Sequence, residues 1–536
     1  MSCRWGQLFY STNSLSDIAG KVFTILTSAN DLSATHFSSV TWMEDRFLPL
    51  TEPRNGAGKP GHVAAARYAE SFGQEEFSMH IHLSQRQVKV LAEADLVVCG
   101  GGCAGVTAAV SAARHGASVI LIERWPSVGG MATNALVNGW HRSDREKMVI
   151  YGLVEESACR AAKEGWIQQD AHYPHAHETH WFDPEGMRII WQRMLDEAGV
   201  RVFCYTAVGE PIVEDGRIRA VLVDTKRGCR AVCGKIFIDA TGDGDLAAKA
   251  GAPFEFGRES DGRVQGMTLI FDLCGIDPAM SGQRREAAPG VISRMRDLRD
   301  QGQLPQFNEG NTRHYLEWAQ DGTLWNMLPV AGNPLDEEEL SRLTAEAREK
   351  LVAYLAFWRK SLPGYEKAAI RQTGFALGIR ESRRIRGLMT LDQDMVLGAA
   401  KHPDAIGHGV WMIDIHDPAG TGHTTYSDRA EHNKLKAGTS YHIPLRMCLN
   451  AHISNLGVAG RCASSTHEAH SSVRVQTHCM VMGQGLGTAA AMALDGKIEL
   501  ARVDVAALQK TLRADGVFLE NVPDTSNKAD AGDSPS

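Results

Sequence analysis

Three polar side chains near the C-terminal end of the 536-residue chain, His467, His470 and Arg474 in STHEAHSSVRVQ, have types and spacing suited to moving protons and holding anions. On a helix, positions three and four apart share one face, so the three would act together. An imidazole exchanges a proton near neutral pH, and a guanidinium holds a carboxylate or polarises an oxygen. The competing reading of the same spacing is a hydrogen-bonded structural cluster. Arg380 and Arg383 in GIRESRRIRG, His416 in WMIDIHD and Tyr441 in YHIPLRM are candidates of the same kind. The run Arg380-Glu381-Ser382-Arg383-Arg384 reads either as a solvated helix face with internal ion pairs or as the anion-binding wall of a substrate pocket.

A second constellation lies far earlier, in DLVVCGGGCAGVTAAVSAARHGASVILIE, Asp95 to Glu123. The apolar run Leu96–Cys99 predicts a buried strand, and Gly100, Gly102 and Gly105 supply the G-x-G-x-x-G spacing. That spacing allows a tight turn, close approach of the backbone to a pyrophosphate, and close packing of helix on strand. A short helix over Ala104–His115 with Gly116 after it, then a strand over Ala117–Ile122, complete the unit. Glu123 ends that strand at the ~20-residue offset where a carboxylate accepts hydrogen bonds from ribose hydroxyls. A carboxylate repels a 2'-phosphate, which leaves FAD or NAD; the alternative is a structural turn without ligand.

Stepping outward, these groups need a scaffold. Gly129-Gly130-Met131-Ala132-Thr133 follows the ribose-binding strand and bares the backbone for a flat ring or a phosphate. Asp183-Pro184-Glu185 predicts a helix start, with the stop at Gly199. Val200–Val208, Arg217–Thr225 and Cys229–Ile238 predict a β-meander. It leads into the turn Asp239-Ala240-Thr241-Gly242-Asp243-Gly244-Asp245, with Asp245 capping a helix over Leu246–Ala250. From Gln265 the composition changes to long polar and apolar helices, notably Asp336–Lys360, with Trp318, Trp325, Trp358 and Trp411 among them. The chain returns with a strand over Leu456–Ala459, Gly460 and Arg461, and Gly483, Gly485 and Gly487 then lead into an alanine-rich helix whose positive end would face an electron-rich group.

The expected architecture is α/β: a discontinuous Rossmann-type domain with a β-meander and an inserted α+β substrate or capping domain. The boundaries are 84–264 for the first part, 265–438 for the insert, 439–500 for the C-terminal part, and 501–536 for a C-terminal helix and disordered tail. Residues 1–83 lack sustained periodicity and read as a poorly ordered extension or a misassigned start, with Met79 as the candidate start. A net charge of -8 supplies no basic field for nucleic acid or an anionic membrane. No apolar run is long enough to span a bilayer, so the expected location is cytoplasmic. The 11 cysteines are scattered without a C-x-x-C, which favours reduced thiols over disulfides, zinc or iron-sulfur. Cys103, inside the glycine turn, reads as small-residue packing, although a helix N-terminus would lower a thiol pKa. His172, His175, His177 and His180 fit no metal-ligand spacing and read as a surface or substrate-side loop. No metal site is expected, and the oligomeric state is open.

Taken together, GGGCAGVTAAVSAARHGASVILIER, GGMAT, IDATGDGDLAAKAG, GIRESRRIRG, IDIHD, YHIPLRM and NLGVAGRCASSTHEAHSSVRVQTHCMVMGQGLGTAAA resemble the FAD-dependent oxidoreductase family, distantly related to fumarate reductase and succinate dehydrogenase flavoproteins. The resemblance spans about residues 86 to 495, with Cys103 where the family usually has proline. It implies FAD held by Gly100, Gly102, Gly105, Glu123, Arg124, Gly130 and Met131, with Ala240, Thr241 and Gly242 beside them. Gly460, Arg461 and a helix opening near Gly487 would form the other half. The activity implied is hydride transfer between flavin N5 and a small polar organic substrate, with an unidentified electron acceptor or donor. The other classes considered are a flavin-binding sensor or scaffold, and a polysaccharide-acting enzyme, which would need a carboxylate pair such as Asp243 and Asp245.

Overall fold

The computed structural model describes residues 87–167, 179–277, 289–307, 323–425 and 431–523. Met79, Trp318, His172, His175 and His177 lie outside that set.

The chain enters on β1 (Val90–Cys99), whose last four residues are fully buried, and continues into α1 (Cys103–Arg114) and β2 (Val119–Ile122). Strands buried on both faces suit parallel pairing, and β1 pairs parallel with β2 from Leu96–Val119 to Cys99–Ile122. The predicted strand Val200–Val208 divides at Tyr205, which adopts a left-handed φ of 53°. Residues before the kink form β3 (Arg201–Phe203), parallel to β2; residues after it begin β4 (Ala207–Glu214). The meander continues through β5 (Arg217–Thr225) to β6 (Gly228–Asp239). β6 belongs to both systems: it pairs antiparallel with β5 and parallel with β1, so meander and Rossmann unit form one sheet in the order β3-β2-β1-β6-β5-β4.

The turn after β6 departs from expectation in one detail. The helix is Asp245–Lys249, and Gly244 rather than Asp245 occupies its N-cap. The capping carboxylate is instead Asp239, whose Oδ2 accepts from Ala247 N–H at 2.8 Å while Oδ1 accepts from Thr241 N–H at 3.0 Å. Burial drives the Asp239 pKa up to about 6, against the pull of those bonds.

The described residues between Met267 and Ile379 carry an apolar core of their own. β7 (Met267–Cys274) lies between β8 (Thr323–Val330) and β9 (Ala369–Thr373), antiparallel to both. α2 (Glu337–Ser361) starts where Asp336 accepts from Glu339 N–H at 2.7 Å. Trp358 on α2 stacks on Trp325 of β8 with centroids 4.9 Å apart, which accounts for two of the tryptophans noted in the sequence. The stretch from Arg380 to Arg384 is not a solvated helix: Glu381 is fully buried, Arg384 nearly so, and the strand Arg383–Ile385 pairs with Phe254–Phe256.

The return to the main sheet is β10 (Leu456–Val458), parallel to the end of β6, followed by α3 (His467–Val473) and α4 (Gln476–Gly496). The expected helix opening near Gly487 is displaced: α4 begins at Gln476, and Gly483, Gly485 and Gly487 lie within it. The reason is helix contact. A Cβ on Gly483 would stand 2.1 Å from Ala104 O, and one on Gly487 2.3 Å from Ala108 O, so these glycines let α4 lie backbone to backbone on α1. Thr107 Oγ1 donates to Met480 O at 2.9 Å across the same seam. The pairing of 104 with 483 and 108 with 487 makes the helices run in the same direction. No helix among the described residues is long and apolar enough to cross a membrane.

Candidate active site

The glycines of the first turn divide their tasks. Gly100 has φ of 103°, and a Cβ there would stand 2.3 Å from Ala240 O; at Gly105 it would stand 1.8 Å from Gly100 O. Gly102 differs, with φ of -72° that any residue adopts and only Gly130 Cα, at 3.9 Å, near a would-be Cβ. Its missing side chain therefore serves the open space in front of it, where α1 begins and its first-turn amides carry the positive end of the helix. Glu123 is buried; Oε2 accepts from Gly101 N–H at 2.7 Å and Oε1 from Trp125 N–H at 2.9 Å. Burial raises its pKa, opposed by these bonds, and each oxygen keeps lone-pair capacity for a hydroxyl donor.

The opposite wall comes from the C-terminal segment. Gly460 (φ 98°) turns the chain so that Arg461 lies against the 240–243 turn, with Nη2 3.2 Å from Asp243 Oδ1. Gln476 and Cys479, in the first turn of α4, reach the same cleft, so both parallel helices start there. The two walls thus face one another across a single cleft.

The family described as FAD dependent oxidoreductase matches residues 95–512. The chain belongs to that family. Several solved structures are similar at low identity. A geranylgeranyl bacteriochlorophyll reductase-like protein from Thermoplasma acidophilum is 13% identical, covering 79% of this chain and 84% of that one, with a TM-score of 0.41. A myxobacterial chondrochloren halogenase is 14% identical, covering 79% of each chain, at 0.40. A p-nitrophenol 4-monooxygenase from Pseudomonas putida is 11% identical, covering 80% and 87%, at 0.38.

The residues of this FAD-dependent oxidoreductase fit its cofactor. The bare Gly102 leaves room at a helix start where a pyrophosphate would fit, and Glu123 follows the second strand, where a carboxylate would meet a ribose. Of the expected cofactor residues, Gly100, Gly102, Glu123, Arg124, Gly130, Met131, Ala240, Thr241, Gly242, Gly460 and Arg461 line the cleft. Gly105 and Gly487 do not; both are sites of close helix packing. Two buried donors add to the fit: Arg461 Nη1 and Arg474 Nε find no acceptor among the described residues. An orphaned buried donor costs about 1–3 kcal/mol, more when charged, and an electron-rich ligand removes that cost.

The candidates for chemistry are divided between the cleft and the layer behind it. Arg474, the C-cap of α3, lines the cleft. His470 is fully buried, with Nε2 2.9 Å from Arg461 O and Nδ1 3.4 Å from Gln265 Nε2. Burial, with the nearby arginines, lowers its pKa well below 6.5, so the ring is neutral. The carbonyl then takes the Nε2 proton, and Nδ1 accepts from the Gln265 amide. His467 Nδ1 lies 2.9 Å from Glu381 Oε2, and Glu381 also pairs with Arg384. Arg383 holds the 239–245 turn through Asp243 O and Asp245 Oδ1, both at 3.0 Å. Arg380 donates to Gly266 O and Thr268 Oγ1, both at 2.7 Å. His416 lies 3.5 Å from Asp414 Oδ2, its pKa pushed down to about 4 by burial and Arg380. Tyr441 is buried in the core, with its hydroxyl 2.9 Å from Ser472 Oγ.

Asp243 is committed to Ser382 and Arg461, and Asp245 to Arg383, an arrangement unlike two carboxyls facing a glycosidic bond. Cys103 lines the cleft, but burial raises its thiol pKa despite the helix start, in keeping with packing. Among the described residues no group of three or more His, Cys, Asp or Glu is placed to hold a metal ion. Sequence reasoning missed Trp125, Ala207, Val208, Gln476 and Cys479 as lining residues. Trp125 was within reach, since it follows the ribose carboxylate by two positions; Ala207 and Val208 carried no signal, because the kink at Tyr205 brings them there.

Proposed function

We propose that this enzyme transfers a hydride between FAD and a small polar organic substrate that presents an electron-rich group to Arg474. The observation that carries this reading is the pair of buried guanidinium N–H groups, on Arg461 and Arg474, in a cleft whose other end has the glycine cradle and Glu123. When bound, FAD supplies a two-electron centre that takes or gives hydride at N5. The chain supplies binding, orientation and field. Glu123 accepts from ribose hydroxyls, and the starts of α1 and α4 bring two positive helix ends to the cleft, where they favour negative charge without reorganising. Arg474 holds a carboxylate or polarises a carbonyl or hydroxyl oxygen. His470 and His467 serve behind this wall: the first fixes the carbonyl of Arg461, the second anchors the start of α3 to Glu381. A separate electron acceptor or donor completes the cycle, and residues 265–438 act as the substrate-side region.

The visible absorption spectrum of the purified protein, followed by acid precipitation, tests the cofactor half. A two-band flavin spectrum released into the supernatant is expected; a colourless protein that FAD cannot reconstitute would overturn the reading. For the substrate half, FAD-loaded protein is screened anaerobically with polar alcohols, acids and sugars for loss of flavin colour. Arg474→Gln should raise KM for any substrate found, with FAD retained.

A further inference from the structure

We infer that Asp414 is a positioning residue that aims the Arg474 guanidinium into the cleft, an inference that rests on the flavin reading above. Asp414 belongs to the segment Trp411–His416, which crosses behind α3 and is fastened to it at two points. Ser471 Oγ accepts the Asp414 N–H at 3.0 Å, and Ser472 Oγ donates to Trp411 O. Arg474 caps that same helix. Its Nη2 donates to Asp414 O at 3.2 Å and lies 3.9 Å from Asp414 Oδ2.

The contacts are one-sided. Nη2 is held by Asp414 O, and Nε, on that same edge of the planar group, has no acceptor among the described residues, so the edge carrying Nη1 is the one Asp414 leaves unengaged. A guanidinium fixed along one edge offers the other edge in a set direction, which a flexible ammonium could not do. The other cleft arginine is also held at Nη2, there by a carboxylate oxygen: Asp243 Oδ1 lies 3.2 Å from Arg461 Nη2, and Nη1 has no acceptor among the described residues. Each arginine thus has its own carboxylate, which offsets the repulsion between two like charges in one buried wall.

Asp414 is itself surrounded. His416 Nε2 is 3.5 Å from Oδ2, and Arg380 and Arg474 add positive charge nearby. Burial opposes ionisation, but these groups hold the carboxyl below the usual range, so it carries its charge at neutral pH. Asp414 thereby acts on a ligand only through Arg474.

The test uses FAD-loaded protein and inorganic sulfite, a small anion whose reversible reaction with bound flavin bleaches the visible band and is favoured by a cation in the cleft. Asp414→Asn keeps the volume and the backbone carbonyl but removes the charge. It is expected to weaken sulfite binding tenfold or more with FAD content unchanged. Arg474→Gln should weaken it at least as much, and the double variant no further than Arg474→Gln alone. Wild-type or tighter sulfite affinity in Asp414→Asn, or additive losses in the double variant, overturn the inference. So does a FAD-loaded wild type that ignores sulfite. Should Asp414→Asn not fold, Ser471→Ala releases the same segment more gently; a severalfold loss of sulfite affinity at an unchanged melting temperature supports the inference, and no loss overturns it. A wild type that takes up no FAD overturns the flavin reading and this inference with it, whereas FAD uptake with Asp414→Asn indifferent to its lost charge overturns this one alone.

Discussion

Two glycine-rich stretches, Gly100–Gly105 and Gly483–Gly487, are nearly alike in composition, and both accompany alanine-rich helices, yet they meet each other from opposite sides of one contact. The first lies at a helix start and opens the cleft. The second lies in the middle of α4 and is the notch into which α1 fits. The difference lies in what a Cβ would strike: open space at Gly102, backbone at Gly483 and Gly487. Glycine at a helix start admits a ligand, whereas glycine four apart inside a helix admits another helix, and composition does not separate the two.

The two halves of the cleft differ in material as well. The N-terminal half combines glycine backbone and the Glu123 carboxylate with the side chains of Arg124, Trp125 and Met131. The C-terminal half rests on buried imidazoles, of which His408 and His478 have pKa values pushed down to about 3, and His416 and His442 to about 4, by burial first in every case. Their ordinary value is 6.5, so the unfolded chain binds more protons than the native one below that pH, and stability falls on acidification. The largest effect expected is therefore an acid one, ~2 kcal/mol per buried histidine by about pH 5. Melting temperature should drop steeply between pH 6.5 and pH 4. Hydrogen exchange should show the 402–478 region opening before β1 and β2; simultaneous opening would remove the contrast.

Next in size are the glycine substitutions. Gly483→Ala should cost about 3 kcal/mol of stability, because the methyl group meets helix backbone that cannot move aside. Gly102→Ala should leave the unfolding free energy of the FAD-free protein within about 0.5 kcal/mol of wild type. Its FAD affinity should nevertheless fall about thirtyfold, ~2 kcal/mol. Should the two variants behave alike in denaturation and FAD titration, the distinction between cradle and notch fails. The smallest effect belongs to Glu123→Gln, which keeps an acceptor for one of the two backbone N–H groups: FAD affinity should fall about tenfold, ~1.4 kcal/mol, as read by fluorescence titration.

Much of the fold was legible because its signals are local. Asp183 does accept from Glu185 N–H at 3.0 Å and Asp336 from Glu339 N–H, as their residue types before acidic first turns suggest. The strand-turn-helix-strand unit from β1 to Glu123 is local in the same sense, since every contact that defines it lies within about thirty residues. The C-terminal wall was harder. His467, His470 and Arg474 do lie on one short helix, but only Arg474 reaches the cleft, because Gln265 and Glu381, distant in sequence, claim the imidazoles.

Asp414 shows the limit most plainly. Nothing in WMIDIHD distinguishes a carboxylate that steadies an arginine sixty positions away from one that sits in solvent. The sequence by itself determined the strand-turn-helix-strand unit, the starts of the helices after Asp183 and Asp336, and the family, because hydrogen bonding and glycine backbone freedom act over a few residues. Tertiary structure alone decided which glycines face the cleft, where α4 begins and which polar side chains reach it, because burial and partner choice depend on segments that meet only when the chain has folded.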